Sequence, residues 1–407
     1  MNSTADDGRL VLVATTWVQT MSSAAMLLVP TLAPQIAATF GISTGLVGLQ
    51  ISLLYGVAML SSMQAGALTR RVGACRASQF AMALVSGACM IALAGTSTAL
   101  LSATVLFGIA YGLTNPAAAQ LLARFTLSRN RNMVYSIKQS GVPLGGILVG
   151  IAAPPLAQAW SWHAAFLVLG VTTLATSLAL QFRRRFWDND RDPDARLQGM
   201  GSLKVLYRRP PILWLGLGGL FLAAAQLSLL SFAIAFMVEE LLIALVTAGI
   251  IMSVVHAAGV FGRIGWGLLA DRVGRSVPVL YCLALAMAGL FTSIALLGTS
   301  MPQWLVIVLL VAAGLTAIGW NGVYLAEVAR RSPQPEVGEA TAAVLVLTYM
   351  GVLCGPALFS LIVGLSGSYA IGFLLPAVAA VLATFCLLAC TRVSEMAVNQ
   401  SMSRRSP

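Results

Sequence analysis

Charge is scarce in this chain. Only 9% of its 407 residues are Asp, Glu, Lys or Arg, against roughly 25% in a soluble domain. A chain this poor in charge, with 58% hydrophobic residues, cannot present its surface to water, so lipid must be its solvent. Lysine is almost missing: Lys138 and Lys204 are the only two among 24 cations. Neither follows a glycine, which excludes a Gly-Lys-Ser/Thr phosphate loop and leaves a solute or ion gradient as the energy source. There is no His-Glu-x-x-His motif, and no acid stands near His256, so an enzyme is the poorest fit and no catalytic residue is assigned. The six cysteines, Cys75, Cys89, Cys282, Cys354, Cys386 and Cys390, make no disulfide framework and no Cys/His metal spacing. Neither a metal nor a cofactor is implied. The formal charge of +11 does not argue for nucleic acid, because the cations sit in short loops rather than along one face.

Long apolar runs fill the rest. The periodic breaks predict twelve spans, at 10–35, 44–67, 77–96, 99–123, 132–157, 163–182, 212–238, 244–268, 277–297, 303–327, 338–364 and 369–391. The first run is too long for the core of a cleaved signal and is expected to remain as a span. Alternate connections carry Arg9; Arg70, Arg71 and Arg76; Arg124, Arg129 and Arg131; eight cations from Arg183 to Arg209, Arg196 among them; Arg272 and Arg275; Arg330 and Arg331; and Arg392, Arg404 and Arg405. That is 22 of the 24 cations, and the intervening connections hold none. The positive-inside rule therefore places both termini and the middle loop in the cytoplasm.

The chain repeats itself. A polar linker at 183–211 separates a first block of six spans, 1–182, from a second, 212–391, with a tail at 392–407. Gly66-Ala-Leu-Thr-Arg-Arg-Val-Gly73 answers to Gly267-Leu-Leu-Ala-Asp-Arg-Val-Gly274, Gly141 and Gly145 to Gly351 and Gly355, and Trp162 and Phe166 to Tyr369 and Phe373. The offsets are 201, 210 and 207 residues, steady enough to mean a duplicated unit. The fold expected is an all-α membrane protein of twelve helices in two six-helix pseudo-repeats, suited to rocking around a midplane site.

These residues resemble the major facilitator superfamily along the whole chain. The family's loop Gly-x-Leu-Ala-Asp-Arg-x-Gly-Arg is matched by Gly267, Leu269, Ala270, Asp271, Arg272, Gly274 and Arg275. The first-half copy keeps Gly66, Leu68, Arg71 and Gly73 but has Arg70 in place of the acid, which puts its bracing charge pair in doubt. Gly141, Pro143, Gly145, Gly146, Gly150 and Pro154 resemble a glycine pattern of proton-linked exporters, although Gly-x-x-x-Gly also simply lets helices approach. The arginine that many proton-coupled members carry in span 4 is replaced here by Gly108, which weakens a proton-antiport assignment. The run from Gly319 to Arg330 is similar to bacterial members that are organic-anion or uncharacterised permeases. The resemblance implies a monomeric secondary transporter of the bacterial inner (plasma) membrane.

Ionisable groups inside a bilayer cost roughly 2.5–3.5 kcal/mol each on the gentlest scale. The first six spans hold Lys138 and no carboxylate; the second six hold His256 and Arg263. Lys138 lies about 10 Å into span 5 at 1.5 Å per residue. Either it faces a central cavity and holds an anion, or it snorkels to the headgroups. Arg263 either clamps a carboxylate, as an arginine at a similar place does in monocarboxylate-type members, or braces Asp271 or Glu327. His256 shares the face of Arg263 and either relays a proton or hydrogen-bonds a neighbouring helix. In the resembled family spans 5 and 8 pack together, so Lys138 and Arg263 would repel by about 2 kcal/mol at about 8 Å and an effective dielectric of 20. A bound anion would reverse that. Gln19, Tyr55, Tyr111, Asn115, Gln139, Gln226, Trp320, Asn321 and Tyr324 are the neutral candidates for the cavity, and Glu239 and Glu240 read as a solvated rim. The expectation is a carrier of a small organic anion, with a proton as the candidate co-ion. Drug or metabolite efflux is the main alternative, and a non-transporting sensor on the same fold is a third.

Overall fold

The structure is a computed structural model, and it describes residues 2–41, 44–126, 128–194, 201–243, 245–297 and 300–403. Arg196, Arg404 and Arg405 of the charge map lie outside them. The described residues form helices and turns, with no strand among them. Twelve helices are long and apolar enough to cross a membrane: Asp7–Thr31, Gln50–Val72, Ala74–Ala92, Ser97–Phe125, Arg131–Ala159, Trp162–Gln181, Pro210–Glu239, Ile250–Val273, Ser276–Leu297, Gln303–Arg331, Val337–Ser366 and Tyr369–Val393. They are spans 1 to 12 below. In lipid every backbone amide must be paired within the chain, and a helix does this by itself. Large apolar side chains stand outward on these helices, among them Ile151, Phe261, Leu365 and Phe385, as a lipid solvent allows.

Local chemistry sets the ends. Thr96 accepts from Ala99 N at 3.2 Å and opens span 4, Pro210 and Pro211 occupy the first turn of span 7, and Ser368 accepts from Ile371 N before span 12. Spans 2 and 8 run to Val72 and Val273, further than hydropathy predicts, because the helix continues through the arginine-bearing loop motif. The last helix likewise runs on from Leu374 to Ser403, into the expected tail.

Two spans are irregular. Span 5 consists of Arg131–Gln139 and Gly141–Ala159, joined at Ser140, whose N–H bonds to Ile137 O at 3.1 Å in a tightened turn. Span 10 is divided into Gln303–Ala317 and Asn321–Arg331 by a turn at 318–320.

The chain forms two compact units. Unit 1 is Met1–Leu127, Ile137–Lys204 and Ser332–Val346; unit 2 is Ser128–Ser136, Val205–Arg331 and Leu347–Pro407. In unit 1 a Cβ on Gly141 would lie 2.7 Å from Thr16 O, and one on Gly145 2.5 Å from Thr20 O, so these glycines let spans 1 and 5 touch backbone to backbone. In unit 2 the core is aromatic: Phe236, Phe291 and Phe359 surround Phe373 at ring separations of 5.3 to 6.1 Å.

The linker is pinned to unit 1 by its acids. Gly73, with φ +98°, begins span 3 without a capping side chain. Asp188 supplies the cap: its carboxylate accepts from Cys75 N at 2.7 Å and Arg76 N at 3.0 Å. A Cβ at residue 73 would meet the Asp188 carboxyl carbon at 2.2 Å, so glycine is required there. Burial pushes the Asp188 carboxyl up to about 6, against the lowering pull of those two amides. Asp190 pairs with Arg124 at 3.1 Å and Asp192 with Arg70 at 3.4 Å.

The brace that Arg70 put in doubt is present with its sign reversed. In unit 2 Asp271 accepts from Asn132 N, Asn132 Nδ2 and Met133 N at 3.1, 2.8 and 2.9 Å, capping the start of span 5. In unit 1 Arg70 donates instead to Glu339, in the first turn of span 11, at 2.9 Å. Gly66 makes room for that glutamate, whose Cα would lie 2.3 Å from an added Cβ. Gly267 packs on Ser136 in unit 2, Gly274 turns the chain at φ +69°, and Arg71, Arg272 and Arg275 are exposed.

Candidate functional site

Lys138 gathers three amide oxygens in unit 1. It stands on the last turn before Ser140 and is 2% exposed. Its ammonium donates to Gln19 Oε1 at 2.6 Å, to Gln139 Oε1 at 3.0 Å and to Asn115 Oδ1. Spans 1, 4 and 5 thus each supply an amide oxygen, and these three acceptors are neutral. The snorkelling arrangement is not the one found: the ammonium is held among buried side chains. Ser23, which sequence reasoning passed over, accepts from Gln19 Nε2 at 3.2 Å and so turns the Gln19 oxygen toward the lysine. Its signal was its spacing, one helical turn after Gln19. Tyr111 is buried one turn before Asn115 and meets Tyr55 edge-on at 5.9 Å.

Unit 2 has a matching arrangement without a lysine. Gln226 Oε1, on span 7, accepts from Trp320 Nε1 at 3.0 Å and Asn321 Nδ2 at 3.1 Å. Gln226 follows Gln19 by 207 residues and Asn321 follows Asn115 by 206, so the same Gln–Asn couple is built on equivalent spans of the two halves. At an offset of 210 the place of Lys138 is taken by Thr348. Tyr324, one turn past Trp320, is buried with its ring 5.1 Å from that indole, and packs on Gly219.

Arg263 has neither expected acidic partner. Its Nε donates to the backbone oxygen of Ile318 at 3.0 Å, within the turn that divides span 10, and the residue is 3% exposed. Asp271 is engaged with span 5 as described, and Glu327 pairs with Arg330 and Arg331 at 2.5 and 2.6 Å. His256 is exposed, and its Nδ1 lies 2.9 Å from Met252 O of its own helix rather than on a neighbouring one. A carbonyl only accepts, so that nitrogen carries a hydrogen. Glu240 corrects the reading of a solvated rim: its carboxylate accepts from Tyr369 N and, at 3.1 Å, from Ala370 N, capping span 12, while Glu239 takes the Tyr369 hydroxyl at 3.3 Å. No group of three or more His, Cys, Asp or Glu stands where it could hold a metal ion among the described residues.

Comparison with known proteins agrees with this architecture. The chain is 27% identical over 240 residues to an "MFS-type efflux pump" of Mycolicibacterium smegmatis, covering 58% of this chain, and 28% identical over 146 residues to "Probable anion transporter 6, chloroplastic" of Arabidopsis thaliana, covering 35% of it. It spans 55% and 28% of the lengths of these two relatives. Among solved structures, the fucose:proton symporter of E. coli superposes with a TM-score of 0.75 at 14% identity, over 94% of this chain and 99% of that one. The human organic anion transporter MFSD10 gives 0.75 at 16%, over 93% and 99%. A family model described as Major Facilitator Superfamily matches residues 13–330 and 217–405. With twelve spans, a duplicated half and this match along its length, the chain belongs to the Major Facilitator Superfamily and is a multi-pass membrane protein.

Proposed function

We propose that this secondary transporter carries a small organic anion, a carboxylate, whose charge is taken by Lys138. The observation that supports this best is the buried ammonium and its three amide oxygens. The chain has no Asp or Glu between Asp7 and Asp188, so the first six spans contain no carboxylate beyond Asp7 at the end of span 1. A carboxylate that displaces one amide oxygen converts an ion–dipole contact into an ion pair, in which donor and acceptor both carry charge. The amides then serve a second purpose. They solvate the ammonium while no cargo is present, so the empty carrier does not leave a bare charge in the bilayer. A neutral solute offers the lysine nothing that the amides do not, and a cation is repelled.

His256 is the candidate for proton coupling, since it is an exposed imidazole on a spanning helix. The cations of alternate connections support an inner-membrane orientation with both termini cytoplasmic, and the carrier acts as a monomer. Efflux of a drug or metabolite is the second reading, favoured by the name of the mycobacterial relative.

The test is uptake by purified protein in proteoliposomes, with and without an imposed pH gradient. Radiolabelled acetate, lactate, succinate and benzoate are the anions; glucose and tetraphenylphosphonium are the neutral and cationic controls. Saturable carboxylate uptake that disappears in Lys138→Gln is expected. Undiminished uptake in that variant refutes the role of Lys138, and transport of tetraphenylphosphonium without any carboxylate selects the efflux reading.

A further inference from the structure

Span 10 is broken within unit 2, and the break exposes backbone. Gly319 N bonds to Thr316 O at 3.2 Å, one residue short of the helical pattern, so Leu315 O loses its usual intrahelical donor. A free carbonyl inside a membrane is costly, and broken helices persist there only where something re-satisfies it. Span 8 does so twice. Trp266 Nε1 donates to Leu315 O at 2.9 Å, and Arg263 Nε donates to Ile318 O at 3.0 Å. The two helices touch closely enough for this because a Cβ on Gly262 would lie 2.2 Å from Leu315 O, and one on Gly319 2.7 Å from the Trp266 ring. The first two residues after Gly319 are Trp320 and Asn321, both of which donate to Gln226.

We infer that Arg263 is a positioning residue: with Trp266 it holds the break in span 10 open and thereby aims Trp320 and Asn321 at Gln226, and it does not bind the anion itself. A guanidinium suits this task, being a permanent cation with several fixed donors, where a broken helix in a cation-coupled carrier would leave carbonyls for a metal ion. Trp266 shares the task but carries no charge, which makes the two roles separable. The consequence for transport rests on the carboxylate reading above; the consequence for the helix does not.

The experiment therefore has two arms, applied to Arg263→Gln, Trp266→Phe and the double variant. Hydrogen–deuterium exchange of purified protein in detergent reads the helix, and needs no cargo. Amides of residues 315–324 are expected to exchange about tenfold faster in each variant, with spans 1 to 6 unchanged. Uptake of radiolabelled lactate in proteoliposomes reads the site. Both single variants are expected to raise KM about tenfold with kcat retained, and the double variant is expected to add little, because both substitutions release the same turn. Unchanged exchange in both variants overturns the inference. So does wild-type KM in Trp266→Phe beside a lost affinity in Arg263→Gln, the pattern of a direct ligand. Should Arg263→Gln fail to insert, Trp266→Phe decides alone by the same two readouts.

Discussion

The two halves repeat one couple of side chains, Gln19 with Asn115 and Gln226 with Asn321, and a lysine is added to it in the first half only. Both halves put a glutamine on their first span and an asparagine on their fourth, and both bring an amide oxygen to a polar centre. In the first half the centre is an ammonium, so three oxygens converge on Lys138. In the second it is Gln226 itself, on which an indole and a carboxamide donor converge. The first centre gathers neutral oxygens around a cation, and the second gathers neutral donors around a neutral oxygen. The arginine-rich ends differ in the same way. Asp271 braces one by accepting from backbone amides, and Arg70 braces the other by donating to Glu339. The positions recur in both halves while the partners and the sign of the charge differ. A hydrogen bond needs one donor and one acceptor, and the geometry is indifferent to which helix supplies which.

This comparison can be broken or sharpened by experiment. The largest effect is expected at Lys138: Lys138→Gln should lower carboxylate uptake by about a hundredfold or more while the protein still inserts, since each 1.36 kcal/mol of lost stabilisation is a factor of ten. Uptake kinetics at matched surface expression check it. Next comes the glutamine pair. Gln19→Leu removes an oxygen from a buried ammonium and should cost about 1.5–3 kcal/mol, read as a fall in thermal stability and in uptake; Gln226→Leu strands two neutral donors and should cost about 1–2 kcal/mol. Equal losses would mean that the two centres are equivalent after all. The reversed brace is smaller. Arg70→Glu and Glu339→Arg should each destabilise, and the double exchange should recover about 1 kcal/mol, as a half-buried ion pair would. The smallest effect concerns the linker. The Asp188 carboxyl is raised to about 6, so docking takes up a proton that the free linker would release. The resulting stabilisation is complete below the ordinary carboxylate range and is lost as pH rises through about 6. The melting temperature of wild type relative to Asp188→Asn should accordingly rise from pH 7.5 to pH 5.

Much of this was legible beforehand, for reasons that differ by residue. Lys138 declared itself because an ammonium surrounded by apolar sequence has few ways to be tolerated, and an offset of seven residues from Arg131 gave its depth. The Gln19–Gln226 and Asn115–Asn321 correspondences follow from the repeat offset. Arg263 was legible as a buried cation but not as a brace for backbone, because a carbonyl freed by a helix break leaves no mark in composition. Glu240, Asp188 and Glu339 were misread or passed over for a common reason. Each acts on a residue more than a hundred positions away, and loop acids read singly look solvated.

By itself the sequence determined the number of spans, the alternation of their arginine-rich connections and the presence of two copies, since these depend on hydropathy and charge counted along the chain. Only the tertiary structure decided which oxygens solvate Lys138, what Arg263 holds and what replaced the missing acid at Arg70. Those choices depend on which helices lie side by side, and apolar spans of similar composition do not announce their neighbours.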